Sequence, residues 1–164
     1  MQLENSFTVP SDTETAWQTL LNVEAIAPCM PGATLESVDG DDFSGNVKVK
    51  LGPVSMVYGG TASFLSKDES RHTAVIKGTG KEKRGTGTAQ ANVSLVLTAE
   101  DDARTRVDVT TDLTITGKAA QFGRGVMQDV ASRLVDQFAS NLETVIAARS
   151  GGAGSSSADG PSDD

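Results

Sequence analysis

The last third of the sequence limits the fold more than any other feature. From Ala119 to Ala148, apolar residues recur every three or four positions, at Ala119, Phe122, Val126, Val130, Leu134, Phe138, Leu142 and Ile146. This spacing predicts one helix with a continuous apolar stripe. Thirty residues make a rod of about 45 Å, and a lone rod cannot bury its stripe. The preceding residues supply a matching face. From about 33 to 117 the pattern is alternation. Val47, Val49 and Leu51 point one way, and Lys48 and Lys50 the other. Met56, Tyr58, Gly60, Ala62 and Phe64 share one parity, and Ala89, Ala91, Val93, Leu95 and Leu97 share another. Val107, Val109, Leu113 and Ile115 alternate with polar residues. One buried face and one wet face mark an antiparallel sheet. Turn signals at Asp39-Gly40, Gly52-Pro53, Lys67–Ser70 and Asp101-Asp102 divide it into strands. The economical fold is α+β, a curved antiparallel sheet wrapped around one long C-terminal helix.

The opening residues add a strand over 2–9, with Phe7 and Val9 on one face and Pro10 ending it. Ser11-Asp12-Thr13-Glu14 reads as a capping box with Ser11 as N-cap. The helix after it places Ala16, Leu20 and Trp17 on one side. Pro28 and Pro31 limit a second short helix around Glu24–Ala27. No basic start leads into an apolar stretch, and no apolar run approaches the ~20 residues that cross a bilayer. The expected location is the cytoplasm, including its border at the inner face of the cell membrane. The domain is expected over 1–149. Residues 150–164 are Gly, Ser, Ala, Asp and one Pro, and read as a disordered tail. That tail is either a solvated end or a linker cut short.

Composition removes several function classes. Fourteen Lys and Arg stand against 22 Asp and Glu, a net charge of −8. Such acidity argues against nucleic acid as a partner, and against adsorption to anionic lipid by charge alone. One Cys and one His exclude a disulfide framework, multi-cysteine zinc sites and His-rich metal sites. Cys29 reads as small buried filler, His72 as a surface residue at a turn, and Asp41-Asp42 and Asp101-Asp102 as solvated turns. Gly78-Thr79-Gly80, with Gly85 and Gly87, resembles a phosphate loop only superficially, because no helix opens there. The expectation is a protein with no catalytic residue, no metal and no covalent cofactor, and not an enzyme.

The inward parity is not uniformly large. Ala74 and Ile76 lead to Gly78 and Gly80, while Ala89 and Ala91 precede Val93, Leu95 and Leu97. If 72–81 pairs with 88–98 around the loop 82–87, the small residues of both strands meet at one end. The space this leaves between sheet and helix is filled either by large helix residues such as Phe122 and Met127 or by a ligand.

Several local signatures then occur in order. Pro28-Cys29-Met30-Pro31-Gly32 resembles the Cys-hydrophobic-Pro-Gly segment of the carbon monoxide dehydrogenase G-subunit family. Gly117-Lys118-Ala119-Ala120-Gln121-Phe122-Gly123, continuing to Phe138, resembles that family's last strand-to-helix junction. Phe7-Thr8-Val9-Pro10, Trp17 and Tyr58-Gly59-Gly60-Thr61 are similar to its opening and central strand. The resemblance covers about residues 1–148. It implies a START-like (SRPBCC, helix-grip) fold with a cavity for an apolar ligand between sheet and helix. It also implies a partner, a molybdenum-containing carbon monoxide dehydrogenase or related hydroxylase. Many members carry a spacer and a terminal membrane-binding segment; here the spacer is present from Ser150 and the segment is absent.

Together, parity and resemblance give an expected ligand-binding set of Met30, Leu51, Met56, Tyr58, Phe64, Ile76, Phe122, Val126, Met127 and Val130. The methionines are adaptable wall residues, and Tyr58 is the polar handle. The expected cargo is a respiratory quinone with an isoprenoid tail, such as menaquinone, carried between membrane and dehydrogenase for electron transport. The tail would lie along the helix and the head toward Tyr58 or Met30, beneath a lid formed by the short helices of residues 12–32. A second reading is an anchor or assembly factor whose cavity is incidental. A third is a cyclase-type enzyme, which needs polar, water-lined walls.

Overall fold

In the computed structural model the alternation resolves into seven strands. They are β1 (Gln2–Val9), β2 (Ala33–Asp39), β3 (Asp42–Leu51), β4 (Val54–Asp68), β5 (Thr73–Glu82), β6 (Thr88–Asp101) and β7 (Arg104–Ile115). They form one antiparallel sheet in the order β1-β7-β6-β5-β4-β3-β2. The chain from β2 to β7 is therefore a plain meander, and β1 adds to its far side. Helix α1 (Thr13–Leu21) and the single turn α2 (Val23–Ile26) follow β1, and a 3-10 turn over Ala27–Cys29 leads into β2. Helix α3 (Gly123–Ser155) ends the described chain. The structure describes residues 1–155, with side chains to 148; most of the tail expected over 150–164 lies outside the described residues.

Two helix starts differ from the sequence reading. The N-cap of α1 is Asp12, whose carboxylate accepts from Thr15 N–H at 3.0 Å. Ser11 is instead buried, and its carbonyl accepts from the Thr105 hydroxyl at 2.8 Å. The helix thus begins one residue later, and Glu14 falls out of capping-box register. The long helix does not begin at Ala119. Residues Gly117–Phe122 form a 3-10 segment, and Gly123 takes a left-handed φ of 82° where α3 starts. The glycine redirects the chain, so Ala119 and Phe122 belong to the junction and not to the rod.

Side chains of α3 finish the edge of the sheet. Gln128 exchanges two hydrogen bonds with the Glu4 backbone, at 3.2 and 3.4 Å. Arg124 Nη2 donates to Gln2 O at 3.2 Å, and Asn5 donates to Ser132 Oγ at 3.1 Å. The contacts of Gln128 and Arg124 occupy backbone groups on the outer edge of β1, which an open sheet would leave available. The helix is pinned to one edge and its apolar stripe faces the concave side.

The core under that stripe is divided in two. One cluster contains Val9, Trp17, Leu20, Phe64, Leu97, Val107, Leu142 and Ile146. The other contains Leu3, Leu51, Met56, Met127 and Val130, with Phe122 and Val126 against them. The interior between them is not filled by side chains.

Candidate ligand cavity

The expected pairing of β5 with β6 occurs, and its register builds a floor. One cross-strand row runs Leu35–Gly45–Gly60–Gly80–Ala89. The next runs Phe43–Ala62–Gly78–Ala91. From β4 to β6, neither row carries a side chain larger than a methyl group. Strands lie about 4.8 Å apart, so the floor crosses several strands with little rising from it. Tyr58 borders it at one end, and the row Phe64–Ile76–Val93 at the other.

The glycines of this floor serve two purposes. At Gly45 a Cβ would fall 2.2 Å from Thr34 O, and at its partner Gly60 1.9 Å from Thr79 O. The neighbouring backbone occupies those positions, so only glycine permits this local curvature. At Gly78 a Cβ would meet nothing nearer than Ala62 Cβ and Thr61 O, both at 3.8 Å. Here the backbone does not require glycine. The missing side chain leaves room above the sheet.

The roof comes from elsewhere in the chain. Val135 and Phe138 of α3, Leu20 of α1, and Val23, Ile26 and Met30 of the short-helix segment face the floor. Between roof and floor is a partly open cavity of about 500 Å³. Inward-facing Ile76, Val93 and Leu95 stay partly exposed because protein atoms do not close over them. The segment that carries Met30 is held at two points. Asn141 Nδ2 of α3 donates to Cys29 O at 2.9 Å, and Lys48 N–H of β3 donates to Gly32 O at 2.9 Å. Cys29 itself is buried, and burial pushes its thiol pKa up, which makes it a poor nucleophile at neutral pH.

Four of the ten residues expected to bind ligand line this cavity: Met30, Tyr58, Phe64 and Ile76. The other six do not. Leu51, Met56, Phe122, Val126, Met127 and Val130 pack together in the second cluster, which closes the end beyond Tyr58. Their inward parity was legible, but their height along the helix axis was not. Phe122 and Met127 therefore leave the space above the glycines unfilled. The walls that parity did not single out are Phe43, Leu35, Val135 and the short-helix residues. Val135 lies one place off the apolar stripe, and β2 with its bulge after Leu35 has no clean alternation.

Tyr58 is the polar side chain with inward parity in the wall. Among the described residues, its hydroxyl hydrogen-bonds to the Met56 sulfur, at 3.6 Å, a weak acceptor. Burial first, and then the Glu82 carboxylate, push the phenol above its ordinary pKa. It therefore stays a protonated donor at neutral pH. Glu82 is buried beside it but is already committed. Its oxygens accept from Val57 N–H at 3.1 Å, Arg84 N–H at 2.7 Å and Thr86 Oγ1 at 3.0 Å. Burial raises its pKa, but these hydrogen bonds together outweigh that and lower it. The carboxylate stays charged and organises the β5–β6 turn. His72 lies at the other end of the sheet, against Trp17 at 5.5 Å between ring centroids and 3.4 Å from Glu14. Neither ring enters the cavity.

Comparison with known proteins agrees with this geometry. A family model described as the carbon monoxide dehydrogenase G subunit (CoxG) matches residues 6–147. No curated protein matches the chain in sequence. Among solved structures, a conserved protein from Geobacillus kaustophilus is similar with a TM-score of 0.80 and 20% identity, over 90% of this chain and 95% of that one. The Zhui aromatase/cyclase from Streptomyces sp. R1128 is similar at 0.66 and 13%, over 94% and 98%. A START superfamily protein from Mycobacterium smegmatis is similar at 0.63 and 12%, over 88% and 96%. At these identities the structural likenesses speak for the fold alone, and that fold is START-like.

Proposed function

Because the chain belongs to the carbon monoxide dehydrogenase G-subunit (CoxG) family, we propose that it is a non-catalytic carrier of one apolar ligand, a respiratory quinone, serving a molybdenum-containing carbon monoxide dehydrogenase. The observation that carries this reading is the cavity of about 500 Å³ with mainly apolar walls and the Tyr58 phenol at one end. At about 30 Å³ per heavy atom, it holds roughly seventeen. A two-ring quinone head with its first isoprene unit approaches that size. The remainder of a long tail would leave through the open side. Tyr58, whose position in β4 has inward parity, is the wall group best suited to donate to a quinone carbonyl.

Energetics favour exchange with a membrane. Each methylene withdrawn from water gains roughly 0.8 kcal/mol, and the bilayer offers the same gain. A carrier needs only to match the bilayer for the segment it encloses. Leaving most of the tail outside reduces what it must match. A cyclase would need several proton-handling groups in the wall; Tyr58 alone, resting on a thioether, does not favour that reading.

The test is organic extraction of the purified protein followed by mass spectrometry. The expected result is a stoichiometric isoprenoid quinone, present as isolated or after incubation with quinone-containing membranes. An extract that stayed free of quinone after that incubation would overturn the carrier reading in favour of an anchoring or assembly role.

A further inference from the structure

The net charge of −8 hides a separation of charge along the strands. Because β2 to β7 form a meander, the turns Asp39–Asp42, Asp68–Arg71 and Asp101–Arg104 all lie at one end of the sheet. Those turns are rich in carboxylates, and two of the cations beside them are already paired, Lys67 with Asp41 and Arg71 with Asp68. The opposite end is basic. Lys48, Lys50, Lys81, Lys83, Arg84 and Lys118 are all exposed there.

Register places five of these six side by side. Lys48 is opposite Val57, whose carbonyl accepts from Lys83 N–H at 2.7 Å; Lys50 is opposite Ser55, whose carbonyl accepts from Arg84 Nη2 at 2.6 Å. Lys81 is opposite Gly59, over which the Lys83 side chain lies. Lys118 joins them through the Thr86 backbone. Two carboxylates share this region. Glu82 is buried and occupied by the turn, with Arg84 3.8 Å away, and Glu36 accepts from Asn46. Among the described residues none of the five lysines makes an ion pair.

We propose that this basic end is a docking surface for an anionic phospholipid bilayer. Its cations are mostly lysines, compact point charges, spread over β3, β5, the β5–β6 turn and the segment after β7, and not gathered in a cleft. That arrangement fits a plane of headgroups. Six cations also fall within the four to eight typical of basic lipid-binding clusters. The acidic end does not oppose the contact. Ten-residue β3 spans about 33 Å, several times the Debye length of about 8 Å, so repulsion from the far turns is screened. The surface also borders the cavity cover, since Lys48 N–H holds Gly32 O next to Met30. Docking there would bring the short-helix segment to the membrane. The proposal goes beyond the carrier reading and does not depend on which ligand the cavity takes.

The test is flotation of the full chain with vesicles of phosphatidylcholine, with or without phosphatidylglycerol, at low and high salt and without quinone. The expected result is binding that requires phosphatidylglycerol and disappears at high salt. In a variant carrying Lys48→Gln, Lys50→Gln, Lys81→Gln and Lys83→Gln, each change should cost about fivefold in partitioning, and the four together on the order of several hundredfold. All four side chains are exposed, so thermal unfolding should stay close to that of the parent. A control with Asp101→Asn and Asp102→Asn should bind vesicles as the parent does. Binding to neither vesicle, or equal binding by parent and lysine variant, would overturn the proposal. So would a lysine variant that keeps vesicle binding but loses the dehydrogenase, which would assign the surface to an acidic protein face.

Discussion

Replacing Gly78 by leucine should make the protein more stable and less able to bind its ligand. A Cβ at this position meets only ordinary contacts at 3.8 Å, and Gly78 is not among the glycines held at positive φ. Removing a glycine from a strand at a compatible backbone is worth about 0.4–1 kcal/mol through the unfolded state alone. The leucine also brings four carbons, roughly 120 Å³ at about 30 Å³ each, close to a quarter of the cavity. A ligand deprived of about four buried carbons loses on the order of 3 kcal/mol, or more than a hundredfold in Kd. Urea unfolding followed by fluorescence of the single tryptophan, Trp17, measures the first effect, and quinone retained after extraction measures the second. Gly60→Ala is the contrast. Its Cβ would collide with Thr79 O at 1.9 Å, and a loss of roughly 3 kcal/mol is expected. If Gly78→Leu were less stable than the parent, the space above the floor would not be available as argued. If it were stable yet bound quinone normally, the ligand would lie elsewhere.

Three further outcomes are expected. Tyr58→Phe should cost well under 1 kcal/mol in urea unfolding, since the hydroxyl donates to a thioether, a weak acceptor, yet weaken quinone binding about tenfold; a large stability loss would mean the hydroxyl is structural. Glu82→Gln should separate from the parent in a pH-dependent way. The folded carboxyl titrates below its ordinary 4.5, so its stabilising contribution is present above that value and fades as pH falls through the depressed folded pKa; a stability gap between parent and variant that stayed constant down that range would count against this. Asn141→Ala removes the hydrogen bond to Cys29 O and should cost about 0.5–1.5 kcal/mol, with faster amide exchange concentrated in residues 23–32. Exchange that changed uniformly along the chain would show that Asn141 does not hold the cavity cover.

Much of the fold was legible because its signals are periodic. Alternation identified the strands, and the stripe from Val126 to Ile146 identified α3, because each pattern arises from one buried face. The pairing of Gly78 with Ala91 and of Gly80 with Ala89 is what hairpin pairing around the loop 82–87, taken as a condition, places at one end. What periodicity does not carry is height. Met127 and Phe138 share a helix face but lie at different levels, and only Phe138 reaches the cavity. That level depends on where the rod starts, and Gly123 sets the start through a local turn. The short-helix wall was legible as two proline-bounded elements, but the contacts of Val23, Ile26 and Met30 depend on long-range links to Asn141 and Lys48. Charge has a similar limit. A sum over the chain cannot register that a meander sorts acidic turns to one end and lysines to the other.

The place of β1 has a consequence for how the molecule comes into being. Its partner is β7, and Val9 pairs with Thr105 while Gln2 pairs with Asp112. A ribosome delivers β1, α1 and α2 first, yet roughly a hundred residues must follow before β7 can receive them. The meander from β2 to β7 can grow hairpin by hairpin in the meantime, since each strand pairs with the one just made. The cavity cover is therefore synthesised near the beginning and seated near the end, after the floor already exists.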